Sequence, residues 1–280
     1  MNYFKIEIQV NSIEEQQLWL GVLGGMEEIL GVEELEGNIL IAYTQDWNKI
    51  KEQVQDLAGK FKSRIIISEL PDQNWNASWE SNFEPVVISD FVSVRAYFHQ
   101  PIPGVRYDIK ITPKMSFGTG HHATTRQMML QMSNMDFIGK YVLDYGTGTG
   151  ILAILAEFLG AKHIDAIDID EWSYTNALEN VANNKCRNIK VVQGDISLLD
   201  NDFKYDIVLA NINRHILLES MSELNYCLKT RGLLLLSGIL KDQDIPIILE
   251  KTNQNGFELQ KQTDENGWVS ILFEKKSYPK

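Results

Sequence analysis

The stretch Val142–Gly150, VLDYGTGTG, decides the fold of this 280-residue chain. Val142 and Leu143 read as the end of a buried strand. Gly146, Gly148 and Gly150 then let the backbone turn tightly and approach a ligand with no Cβ in the way. Ile151 to Phe158 (ILAILAEF) continues as a buried helix whose first amide groups face the turn. After a second strand, from His163 to Ile167, Asp168 stands where a carboxylate can take both hydroxyls of a ribose. The combination predicts a nucleotide-type cofactor site at this joint; the plainer alternative is a strand–turn–helix joint with no ligand.

The glycine spacing separates the cofactor classes. A dinucleotide site wants G-x-G-x-x-G, with its third glycine admitting close helix packing below a pyrophosphate. Here the order is G-x-G-x-G, and Ile151 follows. No Gly-Lys-Ser or Gly-Lys-Thr follows either, which excludes a Walker loop. Downstream, helices and strands alternate: a helix over Ser173–Asn184, a strand over Ile189–Gln193, a strand over Asp206–Ala210 and a helix from Arg214 to Leu228. A buried strand over Leu233–Gly238 and a helix over Ile245–Gln254 come next. Phe257–Gln262 and Trp268–Glu274 close the chain as a hairpin around Asp264-Glu265-Asn266-Gly267. The predicted class is α/β, a Rossmann-like, mostly parallel sheet with one antiparallel strand from the terminal hairpin.

Upstream of the glycine turn, Met115–Thr125 (MSFGTGHHATT) reads as a loop able to close over a ligand, with Phe117, Gly118 and Thr119 at its centre. His121 and His122 are adjacent, but no carboxylate or cysteine stands at ligand spacing, so no metal site is expected. Met128, Met129, Leu130, Met132 and Met135 read as helix core. Val86–Ile88 and Val92–Phe98 read as strands extending the large domain, which is expected to span residues 85–280. Residues 71–84 read as a connecting helix or linker, carrying Trp75 and Trp79 at i, i+4.

Residues 1–70 read as a unit in the order β-α-β-β-α-β, a small ferredoxin-like α+β domain. Ser12 and Glu15 form a capping box for its first helix, Glu36-Gly37-Asn38 hinges two strands, and Asp46 caps the second helix. The unit carries twelve acidic against six basic side chains. That balance suits either docking of a basic protein or a scaffold or dimerisation role.

The whole chain carries a net charge of −12 with a pI of about 4.9, and no Lys/Arg cluster. A duplex-binding protein shows a basic face, so no direct nucleic-acid binding is expected. Cys186 and Cys227 form no disulfide framework, and no leader or membrane-length apolar run is visible; a cytoplasmic protein with no membrane contact is expected. In an open α/β sheet, ligands bind beyond the carboxyl ends of the strands. The glycine turn, Asp168, Gly194-Asp195 and Ala210-Asn211-Ile212-Asn213 all fall there. Asp195 fits either the exocyclic amine of an adenine or the cap of the short helix that follows.

FGTGHHATT, VLDYGTGTGILAILAEFLGA, AIDID, ANIN and LLLLSGIL, in this order, closely resemble the PrmA family over about residues 110–276. The G-x-G-x-G turn itself is similar to that of S-adenosylmethionine-dependent methyltransferases. The resemblance implies a class I methyltransferase sheet and S-adenosyl-L-methionine as cofactor. It implies contacts to that cofactor from Thr125, Gly146, Asp168 and Asn211. The substrate it implies is a basic ribosomal protein of the large subunit, the eleventh, methylated on lysine side chains and the N-terminal amine. The family loop usually reads FGTGTHPTT, whereas His121 and Ala123 stand here; Thr147 replaces a usual Cys, and Asn213 a usual Leu. Gly148, Phe117, Gly118, Thr119 and Asp195 complete the expected cofactor set, and Asn211 is the expected catalytic residue, orienting the amine. The competing readings are a methyltransferase of this fold acting on another basic protein or a small molecule, a nicotinamide-dependent reductase, and a non-enzymatic nucleotide-binding module. A relative that methylates glutamine or adenine would carry Asn-Pro-Pro-Tyr after the fourth strand, where Asn211-Ile212-Asn213-Arg214 stands instead.

Overall fold

A computed structural model describes residues 3–24, 26, 28–35, 39–44, 46–70, 84–112, 118–199 and 203–277. The expected hinge at Glu36-Gly37-Asn38, the Trp75/Trp79 connecting helix and Phe117 lie outside the described residues. The chain divides into two compact units, Met1–Asn82 and Phe83–Lys280.

The first unit contains β1 (Tyr3–Gln9), α1 (Ile13–Gly24), β2 (Ile29–Leu35), β3 (Ile39–Thr44), α2 (Trp47–Phe61) and β4 (Arg64–Leu70). Its antiparallel sheet has the order β2-β3-β1-β4. Alternation along β1 turns Ile6 and Ile8 inward, and fourfold spacing along α2 turns Ile50, Val54 and Ala58 onto them. The capping box is shifted by one residue: Ser12 Oγ accepts from Glu15 N at 3.2 Å, while the Glu15 carboxylate accepts from Asn11 N at 2.9 Å. Asp46 precedes α2 without capping it; its carboxylate lies 3.6 Å from Lys49 Nζ instead.

In the second unit, β5 (Val86–Ile88), β6 (Val92–Ala96) and β7 (Tyr107–Ile111) make a three-stranded sheet. Of these, β7 was not anticipated from the sequence. α3 (Ala123–Met132), β8 (Tyr141–Tyr145), α4 (Ile151–Phe158), β9 (His163–Asp168), α5 (Glu171–Asn183), β10 (Ile189–Gln193) and β11 (Tyr205–Asn211) follow. The expected helix over Arg214–Leu228 is two, α6 (Arg214–Glu219) and α7 (Met221–Cys227), broken at Ser220. β12 (Leu228–Leu240), α8 (Lys241–Gln254), β13 (Phe257–Glu265) and β14 (Trp268–Lys275) complete the chain.

The seven strands run in the order β10-β9-β8-β11-β12-β14-β13. Only β14 runs antiparallel to its neighbours β12 and β13. Both faces of the sheet are buried, and strand alternation assigns them. Val142, Ile164, Ile207, Leu209 and Leu235 meet the apolar side chains of α3 and α4. Leu143, Ile167, Val208, Ala210, Leu234 and Leu236 meet those of α6, α7 and α8. Such near-continuous apolar runs mark strands covered on both sides. Met128, Met129 and Met132 are fully buried, whereas Leu130 of the same helix is exposed. Chain order reverses between β8 and β11, which are adjacent parallel strands. A crevice therefore opens beyond their carboxyl ends.

Candidate active site

The crevice is a cleft of about 440 Å³, within the size range of small-molecule sites. Tyr145, Gly146 and Gly148 at the end of β8, Asp168 and Ile169 at the end of β9, and Gly194 after β10 form one side. Asn211, Ile212 and Asn213 after β11, with His122, Thr124, Ile216, Gly238 and Trp268, form the other.

The first side is made mostly of backbone. Gly146 and Thr147 donate their N–H groups to Ile167 O at 2.9 and 3.0 Å, which ties the turn to the next strand. Asp168 Oδ2 accepts from Gly148 N at 2.9 Å, and Oδ1 accepts from Asp170 N at 3.1 Å, so the carboxylate is held at the cleft edge. Behind the turn, Asp144 is buried. Its Oδ2 accepts from Thr147 Oγ1 at 2.6 Å and from Ala153 N at 3.1 Å. Burial pushes the Asp144 carboxyl up to about 7, against those two hydrogen bonds and helped by the charge of Asp168.

The second side depends on close packing of three strand ends. Gly146 has φ 71°, and a Cβ there would overlap the Ile212 side chain. Gly238 has φ 87°, and a Cβ there would overlap the Ile212 backbone. Both conditions require glycine, and between them the Asn211-Ile212 segment is gripped from both sides. Asn211 is 9% exposed; its Nδ2 donates to Thr125 Oγ1 at 3.2 Å, and its Oδ1 has no hydrogen-bond partner among the described residues. A buried acceptor without a partner is costly in a fold and calls for a ligand donor. Asn213 caps α6, its Oδ1 accepting from Ile216 N at 3.2 Å.

Of the expected residues, Gly146, Gly148, Asp168 and Asn211 are brought together on the cleft wall. Thr125 stands one layer back, fully buried, and reaches the cleft through Asn211; Thr124 is the neighbour that lines it. Gly118 and Thr119 stand beside the glycine turn and off the cleft wall, with Gly118 O accepting from Thr149 Oγ1 at 2.7 Å. Asp195 points elsewhere. Its carboxylate accepts from Ser197 N at 2.9 Å as a cap, and it lines a separate hollow with Glu219, Glu223 and Tyr226. Neighbouring Gly194 is the part of that segment in the cleft.

Trp268 and Gly238 were not singled out from the sequence. Trp268 begins β14 opposite Leu240, and its ring meets the His122 ring edge-on with centroids 4.8 Å apart. The signals were the Asn-Gly turn before it and the bulge that Gly238 puts into a buried strand. His122 also caps α3, accepting from Thr124 N. Among the described residues, no group of three or more His, Cys, Asp or Glu gathers to hold a metal ion.

A glycine turn at the switch point, a carboxylate at the next strand end and a single antiparallel strand in the terminal hairpin define the Rossmann-like methyltransferase class. Comparison with known proteins agrees. The profile of the family described as Ribosomal protein L11 methyltransferase (PrmA) matches residues 5–276. A Bacteroides fragilis protein named Ribosomal protein L11 methyltransferase is 38% identical over 283 residues, covering 98% of this chain and 99% of the relative. A Porphyromonas gingivalis protein of the same name is 48% identical over 204 residues, covering 72% and 70% respectively. Among solved structures, a ribosomal protein L11 methylase from Lactobacillus delbrueckii subsp. bulgaricus superposes with a TM-score of 0.64 at 31% identity, covering 70% of this chain and all of that one. A Pyrococcus furiosus methyltransferase shares the fold, with a TM-score of 0.52 at 18% identity, covering 60% of this chain and 90% of that one. The chain belongs to the ribosomal protein L11 methyltransferase (PrmA) family.

Proposed function

We propose that this protein transfers methyl groups from S-adenosyl-L-methionine to ribosomal protein L11, on lysine side chains and the N-terminal amine. The observation that carries the reading is the unpartnered, buried Oδ1 of Asn211, set on a cleft wall opposite the glycine turn and Asp168. S-adenosyl-L-methionine supplies an electrophilic methyl group on a sulfonium. Asp168 would accept from the ribose hydroxyls, Gly146 and Gly148 would let the backbone approach the amino-acid end, and Ile169 and Gly194 would border the base. Thr125 acts from behind by holding Asn211. Asp195 is left out of this set because it does not line the cleft and its Oδ1 is engaged as a cap.

The reaction needs a neutral amine facing the methyl carbon. A lysine of ordinary pKa about 10.4 is only about 0.1% neutral near pH 7.4. The cleft has to disfavour the ammonium by desolvation and then hold the amine in line. Asn211 Oδ1 accepts one amine N–H, which turns the nitrogen lone pair towards the methyl group, and the proton leaves to water. The nitrogen lone pair forms the new N–C bond as the C–S bond breaks, leaving a neutral thioether. The Trp268 and His122 rings face the same space, where an aromatic wall suits an ammonium that gains methyl groups. The small unit, residues 1–70, is assigned to presenting the basic substrate, its acidic excess supplying the complementary charge; no membrane or nucleic-acid partner enters this reading.

The test is differential. S-adenosylhomocysteine should raise the melting temperature and NAD should not. Peptide mapping of L11 after incubation with S-adenosylmethionine should place the added methyl groups on lysines and the amino terminus. Stabilisation by NAD alone would contradict the assignment.

A further inference from the structure

Among the described residues, strand β7 pairs with β6 along one edge only. Along and just beyond its other edge, side chains of α5 and its C-cap, spaced four apart, take the place of a strand. Asn184 Oδ1 accepts from Lys110 N at 2.9 Å, and its Nδ2 donates to Lys110 O at 2.6 Å. Asn180 Oδ1 accepts from Thr112 N at 2.7 Å, and Asn176 Nδ2 donates to Thr112 O at 3.1 Å. A carboxamide carries the same donor and acceptor as a peptide group, so a column of them can satisfy an open strand edge.

Asn180 does more than this. It is fully buried, and its Nδ2 also donates to Thr149 O, inside the glycine turn, at 2.8 Å. Thr149, also fully buried, donates its Oγ1 hydroxyl to Gly118 O at 2.7 Å. Gly118 has φ 101°, and a Cβ there would stand 3.0 Å from Thr149 Oγ1, so the approach requires glycine. Thr112 and Gly118 are thus both fastened to one Thr149–Asn180 unit. A buried polar chain of this kind fixes one arrangement where apolar side chains of equal volume would leave several.

We propose that Thr149 and Asn180 are positioning residues for the methyl-transfer reaction, fastening Thr112 on one side and Gly118 on the other to the glycine turn. Neither residue lines the cleft. They act by holding Gly118 and the residues after it in one register with the turn, so that cofactor binding does not have to order them. The inference rests on the cofactor reading given above.

Thr149→Val removes the hydroxyl at constant volume, and Thr149→Ser keeps it. Titration calorimetry with S-adenosylhomocysteine should show about a 3- to 10-fold loss of affinity for Thr149→Val, the size of one hydrogen bond, and a return to within about twofold for Thr149→Ser. KM for S-adenosylmethionine should rise by the same factor, with kcat at saturating cofactor within about twofold. In ligand-free protein, amide exchange of the peptide Gly118–Arg126 should quicken in Thr149→Val and not in Thr149→Ser. Asn180→Asp keeps the acceptor for Thr112 N and loses the donor to Thr149 O. Combined with Thr149→Val, its effect on affinity should be less than additive, because both cut one circuit. If wild type binds S-adenosylhomocysteine and Thr149→Val binds it equally, with unchanged exchange, the positioning role is overturned and the cofactor reading survives. If wild type does not bind it, both fall.

Discussion

The two sides of the cleft are built in different ways. The cofactor side comes, Gly194 apart, from one continuous run, Asp144 to Asp170, in which backbone amides of the turn bond to Ile167 O and to the Asp168 carboxylate. The transfer side is assembled from Thr125, Asn211, Gly238 and Trp268, which are far apart in the chain and meet only through sheet pairing and α3. In the proposed reading the first arrangement holds the nucleoside. The second decides what is done with it. Damage to the two sides should therefore separate binding from chemistry.

The largest effect is expected on the transfer side. Asn211→Ala removes the acceptor proposed to orient the amine, and kcat should fall by about 100-fold or more, the scale of a lost preorganised polar contact. Affinity for S-adenosylhomocysteine should fall by less than about tenfold; full turnover with unchanged affinity would remove Asn211 from the reaction. On the cofactor side, Asp168→Ala deletes charge-assisted hydrogen bonds of about 1.5–3 kcal/mol each, so cofactor affinity should drop by about 100-fold. Here kcat at saturating cofactor should be nearly retained, and a loss confined to kcat would blur the distinction between the two sides. Trp268→Ala should lower kcat/KM for the protein substrate by about 5- to 10-fold, with Trp268→Phe close to wild type, as expected for an aromatic wall against an ammonium. Calorimetry with S-adenosylhomocysteine should show no change in either Trp268 variant.

The smallest effect concerns stability. Burial raises the Asp144 carboxyl from the ordinary carboxylate range to about 7. A raised folded pKa means that folding favours the protonated form. Its contribution is present below pH 4 and is lost as pH rises through 7. Asp144→Asn abolishes that titration, so the melting temperature of wild type minus that of Asp144→Asn should decrease between pH 4 and pH 8. A difference independent of pH would mean that Asp144 titrates normally.

The same contrast governs what could be read from the sequence. The glycine turn, Asp168 and the terminal hairpin were legible because each is a local pattern: turn glycines, a carboxylate after a short apolar strand, and an Asn-Gly pair. Asn211 was found as the residue after a buried strand, through its place in a family motif. Trp268 was read only as a strand residue, because its meeting with His122 depends on β14 pairing with β12 and on α3 packing across both. Gly238 looked like one more residue of a buried strand, yet its role is to admit the Ile212 backbone. Strand β7 was missed although Tyr107–Ile111 (YDIKI) alternates apolar and polar residues; what the sequence does not display is that asparagine side chains hold one of its edges. The break at Ser220 followed a continuous helical pattern and had no breaker residue to announce it. Asp195 was open between two roles, of which the structure shows the cap, through the hydrogen bond from Ser197 N.

The most direct test of the central claim is intact-mass spectrometry of ribosomal protein L11 from the same organism after incubation with this protein and S-adenosylmethionine. We expect successive increments of about 14 daltons with wild type and almost none in the same time with Asn211→Ala. An unshifted L11 mass, from a wild-type protein that binds S-adenosylhomocysteine, would contradict L11 as the substrate.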